Sequence, residues 1–407
     1  MRTSIVFVYN SFKDPLFQAT LWLYLVDESA RNRFRFLLIT YEQEEFFISE
    51  QEKNRIKEDL AAMNIVWLPL KWHSGSFKLV KKLFDLVLAL ALIARIYARF
   101  KPKTIISLGT VAGSFSYLLS RMFGLKNYIY QYERHSEFLA DFNIWNRKSI
   151  SFRMLNYFER LSGKNSEILA TGTSHMMKRL EEEKVRGTTY LLPSCVDDQH
   201  FQFSGKDREL IRNSLGIGTQ KAVIYLGKFG GIYFSLKKIV AFFREWKHLD
   251  SSVFFIILTP EDAKEVERQL IAAGIEESSF HVGRVPHHDV PKYLSASDIG
   301  VVAVPSLPSQ KFRSPIKVGE YLCCGLPFIV GRGISDDDQI AKEKSVGVVL
   351  DSYDRAGLEK VMPEIQQLVS EDKEVLRRRC RSAGLSYRGF SRLVSTGKQI
   401  FDKLASF

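Results

Sequence analysis

Short apolar runs alternate with longer amphipathic stretches along almost the whole chain, and the alternation happens twice. In the first half the runs fall at 4–8, 34–40, 65–69, 104–108, 128–132, 168–171 and 189–192. Helical patterns fill the gaps at 14–31, 50–63, 77–100, 111–123, 150–161 and 174–184. Near residue 195 the rhythm pauses in PSCVDDQHF and the polar SGKDRELIRNSLGIG. It then restarts with runs at 222–226, 253–258, 279–282, 299–304, 328–330 and 347–350, separated by helical patterns at 237–246, 263–273, 290–296 and 315–324. Strands separated by helices predict parallel βαβ units, so each half predicts a doubly wound α/β sheet. At 407 residues the chain is long enough for two such domains. The boundaries predicted are 1–195, 196–385 and a basic helical tail at 386–407. In open α/β sheets, ligands bind beyond the carboxyl ends of the strands, so two such domains facing a cleft direct attention to those loops.

Composition narrows the partners. Cys195, Cys323, Cys324 and Cys380 show neither CxxC nor His-linked spacing, which fits reduced cysteines rather than a disulfide frame or zinc site. The start, MRTSIVFVYNS, reads as a first strand rather than a signal peptide. The most apolar stretch, 83–96, is interrupted by Asp85 and Arg95, and a membrane span needs about 20 apolar residues. A buried domain helix is expected there. The net charge of +12 favours an anionic partner. No nucleic-acid module is present, which leaves phosphate-bearing small molecules or an acidic membrane surface. Residues 145–160 (WNRKSISFRMLNYFER) interleave cations with aromatic and aliphatic side chains. Such a helix suits an anionic lipid interface, and equally an ordinary amphipathic helix with a solvated basic face.

The strongest chemical signal is SPIKVGEYLCCGLP at 314–327. Ser314 is expected as an N-cap and Pro315 in the first helical position. Lys317 and Glu320 then share one face. Gly319 and Cys323 are small enough to let the helix lie close to a sheet, and Gly325 fits a left-handed C-cap. A helix N-terminus beside a lysine is a phosphate site, and a carboxylate one turn on can accept two ribose hydroxyls. A capped scaffold helix would look the same in isolation. Three loops add to it. Strand 222–226 runs into GKFGG, where glycines allow close approach and Lys228 brings charge. Strand 279–282 runs into Gly283-Arg284-Val285-Pro286, whose backbone can read a base edge or simply turn. Strand 128–132 runs into Glu133-Arg134-His135-Ser136-Glu137. There His135 can bind a sugar hydroxyl or stabilise charge, or be a surface histidine bonded to its neighbours. Asp336-Asp337-Asp338 follows Ser335 and reads as a capped helix start rather than a metal site.

In this order and spacing the segments resemble the retaining glycosyltransferases of family 4, with the GT-B fold. KDPLFQ (13–18) looks like the opening of bacterial polysaccharide members, and PSCVDDQHF like their PNGVDxxxF signature. LGKFGG, HVGRVPHHDVPKYLSASDIGVVAVPS and SPIKVGEYLCCGLPFIV resemble the donor-site elements, and Phe390-Ser391 the last helix, which in that fold crosses back to the first domain. The resemblance implies a metal-independent enzyme without a cofactor, taking a UDP- or GDP-type nucleotide sugar. Lys228 and Lys317 would neutralise the departing diphosphate, and the backbone around Gly230, Gly231 and the Ser314-Pro315-Ile316 segment would supply N–H groups to it. Glu320 would hold the ribose, Arg284 and Val285 would line the base pocket, and His135 would contact the transferred sugar. Gln18, Glu133 and Glu137 are acceptor-side candidates. The implied setting is the cytoplasmic face of the plasma membrane, in surface polysaccharide biosynthesis, with a lipid-linked or polysaccharide acceptor.

The departures are specific. The family's second glutamate, eight residues before Glu320, is Phe312 here; the later lysine of the GKFGG-type loop is not in register; and Cys195 stands for a glycine. They keep two other functions open: a non-catalytic GT-B protein that binds nucleotide sugar or acts as a scaffold, and a GT-B nucleotide-sugar epimerase.

Overall fold

The computed structural model describes residues 1–407 apart from 15, 16, 18–21, 23, 24 and 74–77, with side chains omitted at 28, 29, 78 and 79. Gln18 lies outside the described residues, as do Pro15 and Leu16 of the KDPLFQ opening. Among the described residues, thirteen strands form two sheets, and every one coincides with an apolar run read from the sequence. The chain divides into two compact units: Met1–Pro193 with Leu393–Phe407, and Ser194–Arg392. The first boundary lies two residues before the predicted one, and the return to the first unit comes at Leu393 rather than at 386.

The first unit holds β1 (Arg2–Val8), β2 (Phe34–Glu42), β3 (Ile65–Lys71), β4 (Thr104–Leu108), β5 (Lys126–Tyr130), β6 (Ile168–Thr171) and β7 (Thr188–Leu191). Their order is β3-β2-β1-β4-β5-β6-β7, and every pairing is parallel. Strands buried on both faces need continuous apolar runs, and β1 and β4 have them: residues 4–8 and 104–108 are all buried. The last helix, Phe390–Ala405, buries Leu393, Ile400, Phe401 and Leu404. Phe401 packs against Phe34 and Phe36 at 5.4 and 5.8 Å between ring centres. Arg33 pairs with Asp402 at 2.5 Å.

The second unit holds β8 (Ala222–Leu226), β9 (Phe254–Leu258), β10 (Phe280–Gly283), β11 (Ile299–Val302), β12 (Phe328–Gly331) and β13 (Gly347–Leu350), all parallel in the order β10-β9-β8-β11-β12-β13. Helices Gly205–Ser214 and Arg355–Ser370 were not foreseen. The first is too polar to show a strong apolar period, and the second carries Pro363 inside it.

In each sheet the strand order reverses between β1 and β4, or between β8 and β11. Loops leaving the carboxyl ends of strands on either side of such a switch point diverge and leave a crevice. In the second unit those loops are GKFGG after β8 and the segment after β11 that leads into helix Ile316–Cys323.

The stretch 83–96 lies in helix Lys78–Phe100, and only one face of it is buried. Asp85, Ala89, Ile93 and Ile96 turn inward, while Val80, Leu83, Phe84 and Val87 are exposed. The domain helix expected from the sequence forms, but it is buried on one face only.

Candidate functional site

Helix Ile316–Cys323 begins one residue later than predicted. Pro315 is its N-cap, in extended backbone with no side-chain cap bond. Ser314 is engaged elsewhere: its hydroxyl accepts the Ser194 N–H at 3.0 Å and a bond from Arg388. Without a side-chain cap, the first N–H groups of the helix keep their donor capacity. Gly325, at φ 72°, closes the helix as predicted.

Lys317 projects from the first turn and donates from Nζ to the Leu226 carbonyl at the end of β8, at 2.7 Å. Its ammonium lies over the Tyr225 and Tyr233 rings at 5.7 and 5.4 Å. Gly227, at φ 139°, is the residue that leaves room for it: a Cβ there would stand 3.0 Å from Nζ. Burial pushes the Lys317 pKa down to about 8, against an opposing pull from Glu320. At neutral pH the ammonium is therefore charged and poorly solvated, the condition in which a cation acts most strongly on an anion.

Glu320, one turn on, is buried. Its Oε1 lies 3.0 Å from His287 Nε2. The hydrogen bond with Glu320 holds the His287 pKa above the ordinary histidine value, although burial opposes it. Sequence reasoning missed His287. It sits three residues past Arg284 in a short turn, His287–Asp289, and its signal was the His-His-Asp after GRVP.

The small residues of the helix serve a different neighbour from the one expected. A Cβ on Gly319 would meet Val196 and the Arg388 side chain, and a Cβ on Gly384 would meet the backbone of Leu322 and Cys323 at 2.8–2.9 Å. The close partner is thus helix Lys373–Arg388, not the sheet. The sheet side is taken by Tyr321, whose ring fills the space over Gly300.

Around the helix, the GKFGG loop is shaped by glycines at φ 139°, 74° and 61°. Tyr225 Oη donates to the Lys228 carbonyl at 2.6 Å, and the Tyr225 ring stacks on Phe229. Gly230 donates its N–H to the Phe234 carbonyl at 2.9 Å, which takes that group away from the diphosphate role expected for it. Arg284 is exposed and Val285 half-buried just beyond β10, whose Gly283 carbonyl accepts the Thr259 N–H. Phe312 is buried in the turn Pro308–Phe312.

A buried ion pair braces the site from behind. Arg388 and Asp337 lie 2.5 Å apart, both side chains fully buried. Arg388 also reaches the Ser194 carbonyl and Ser314 Oγ. Asp337 therefore belongs to this network. The helix it opens has Asp336 as N-cap with no side-chain bond, not Ser335, and Asp338 accepts the Gly333 N–H. Burial pushes the Asp337 carboxyl up to about 6, and the facing guanidinium limits the shift, so the pair is charged at neutral pH. Among the described residues, no group of three or more His, Cys, Asp or Glu converges as a metal site.

In the first unit His135 opens helix His135–Asp141, past the end of β5. Its N–H donates to Glu159 Oε1 at 2.8 Å, and its ring stacks on Phe138. Glu159, from helix Ile150–Asn165, also accepts from the Ser136 N–H, Ser136 Oγ and Thr110 Oγ1. One buried carboxylate thus caps the helix that positions His135, and nothing local in the sequence announces it. Glu133 is buried, with Oε1 3.8 Å from His135 Nδ1. Glu137 is committed to structure: both its oxygens bond Arg179 at 2.7 Å, and that partner holds its carboxyl below the usual range despite burial.

Two parallel-sheet, Rossmann-like units define the class of fold as GT-B. Solved structures share it over essentially the whole chain. Sucrose-phosphate synthase from Thermosynechococcus elongatus has a TM-score of 0.73 at 12% identity, with 100% of both chains covered. HepE from Anabaena, solved in complex with UDP, has a TM-score of 0.70 at 12% identity over 100% of both chains. WaaG, a glycosyltransferase involved in lipopolysaccharide biosynthesis, has a TM-score of 0.63 at 13% identity over 98% of both. No curated protein matches the sequence. Within the chain, residues 207–384 match the family described as glycosyl transferases group 1, a stretch that contains Lys228, Arg284, Lys317 and Glu320.

Proposed function

We propose that the protein is a glycosyltransferase that moves a sugar from a nucleotide-diphosphate donor to an acceptor hydroxyl with retained configuration. The observation that carries this is the pairing, on helix Ile316–Cys323, of a desolvated Lys317 with a buried Glu320 one turn on, inside the segment matched by the glycosyl transferase family. In this reading Lys317, the helix N-terminus at Pro315–Ile316 and Lys228 take the charge that grows on the diphosphate. The bond from the anomeric carbon to the phosphate oxygen breaks, the acceptor oxygen bonds that carbon and gives its proton to the departing phosphate oxygen, and the nucleoside diphosphate leaves. Preorganised cations and N–H dipoles act there without having to reorganise, which is where most of the rate gain arises. Glu320 accepts the ribose hydroxyls, exchanging its bond with His287 for them. Arg284 and Val285 border the base, Gly231 lets the loop approach, and His135 contacts the transferred sugar, with Glu133 behind it.

The acceptor we favour is lipid-linked or a growing polysaccharide, used on the cytoplasmic side in surface polysaccharide biosynthesis. Structural likeness to WaaG and the basic character of the chain support that choice. The test is donor turnover against a panel of UDP- and GDP-sugars with lipid-linked acceptors. Glycosylated acceptor with at least one donor is expected, and its loss in Lys317→Ala and Glu320→Ala. Interconversion of the donor sugar without acceptor, or binding without turnover of any donor, would overturn the reading.

A further inference from the structure

Helix Lys78–Phe100 carries an exposed stripe that its fold does not use. Val80, Leu83, Phe84 and Val87 follow the i, i+3, i+4, i+7 spacing of one helix face, and Leu83 and Val87 are 61% and 53% exposed. Ala91 and Ala94 continue the same face and are exposed too. The opposite face holds Ala89, Ile93 and Ile96 in the core, so the helix is apolar on both sides. A soluble surface helix normally turns charges outward there.

The neighbouring helices repeat the pattern. Helix Thr110–Phe123 packs on one side of Lys78–Phe100, and helix Ile150–Asn165 packs on helix Thr110–Phe123 in turn, so the three lie side by side. Between the first two runs an apolar groove of about 370 Å³, lined by Leu86, Leu90, Leu118, Leu119, Arg121 and Met122. On the third, Ile150, Met154 and Tyr157 form a second exposed stripe.

Charge is just as one-sided. The three helices contain only two acids, and both are buried. Asp85 accepts the Tyr9 hydroxyl at 2.6 Å and pairs with His73 at 2.5 Å, while Glu159 caps the His135 helix. The exposed charges are cationic: Arg95, Arg99, Arg121, Arg153, Arg160 and Lys164.

From this juxtaposition we propose that the outer face of these three helices docks on an anionic lipid bilayer, the apolar stripes entering the headgroup–acyl boundary and the arginines meeting lipid phosphates. Exposed apolar stripes on helices whose exposed charges are all cationic match that surface in both chemistry and sign. No helix among the described residues is long and apolar enough to cross a membrane, so the contact is one of lying on it. The N-terminal end of the stripe follows β3, and Phe84 stands edge-on to His73, 5.1 Å between ring centres. Docking therefore brings lipid to the carboxyl edge of the first sheet. The inference does not rest on the transfer reading, because its readout is vesicle binding.

The test is flotation of the full-length protein with vesicles of equal parts phosphatidylglycerol and phosphatidylcholine, and with phosphatidylcholine alone. Binding to the anionic vesicles is expected, weakened by salt. A loss of about tenfold or more is expected in Leu83→Glu/Val87→Glu and in Arg153→Glu/Arg160→Glu. These side chains are exposed, so thermal melts of the variants should match the parent. Equal binding to neutral vesicles, unchanged binding of the Leu83→Glu/Val87→Glu variant, or no binding at all would overturn the proposal. So would a solution dimer that the Leu83→Glu/Val87→Glu variant dissociates, which would make a second copy the occupant.

Discussion

Lys317 is the residue where burial and charge oppose each other most usefully. Its pKa near 8 means that the free protein holds a full charge at pH 7 and loses it as pH rises. A bound diphosphate favours the ammonium and raises that pKa. Nucleotide affinity should therefore be flat below pH 8 and fall above it, until the higher pKa of the complex is reached. Calorimetric titration between pH 7 and 9.5 checks this, and Lys317→Arg, which stays charged throughout, should flatten the curve. His287 gives the opposite sign. Its raised pKa means that the contact with Glu320 contributes stability that is complete below the ordinary histidine value and is lost as pH climbs through the raised one. An NMR titration should show the His287 pKa above 6.5 in the parent and nearer that value in Glu320→Gln. Lys317 and Glu320 were legible in the sequence because they lie three apart on one helix. His287 was not, because its partner is 33 residues away.

The elements were more legible than their contacts. Apolar period and length place all the strands, because a parallel strand buried on both faces must be a continuous apolar run. The small residues of helix Ile316–Cys323 were visible too, but a small side chain announces a close neighbour without saying which. Here it is helix Lys373–Arg388, whose Gly384 lies against the Leu322–Cys323 backbone. Alanine is the better helix former by about 1 kcal/mol, so Gly384→Ala would stabilise the protein if the helices were apart. Overpacking should instead cost about 1–3 kcal/mol, read as a lower urea midpoint. The Arg388–Asp337 pair was likewise hidden, since its members are 51 residues apart. Asp337→Ala leaves a guanidinium buried without its partner and should cost about 3–5 kcal/mol by the same measurement.

At the scale of the molecule, the first unit is completed by residues from the opposite end of the chain. Phe401 is buried against Phe34 and Phe36, so Phe401→Ala should destabilise the first unit by about 3–5 kcal/mol, read from hydrogen exchange of β1 and β2. The division into two units follows from the pause near residue 195, but the final helix shows only an amphipathic pattern, and its destination is set by tertiary packing. The residues proposed above to bind the nucleotide all lie in the second unit, which makes nucleotide binding separable from that destabilisation. The most direct measurement is calorimetric binding of UDP and GDP to the full chain at pH 7.5, repeated with Lys317→Ala and Glu320→Ala. The account predicts that one of the two nucleotides binds and that each substitution weakens it by about 1.4 kcal/mol or more, a factor of ten. Equal affinity in parent and variants, or no binding of either nucleotide, would contradict it.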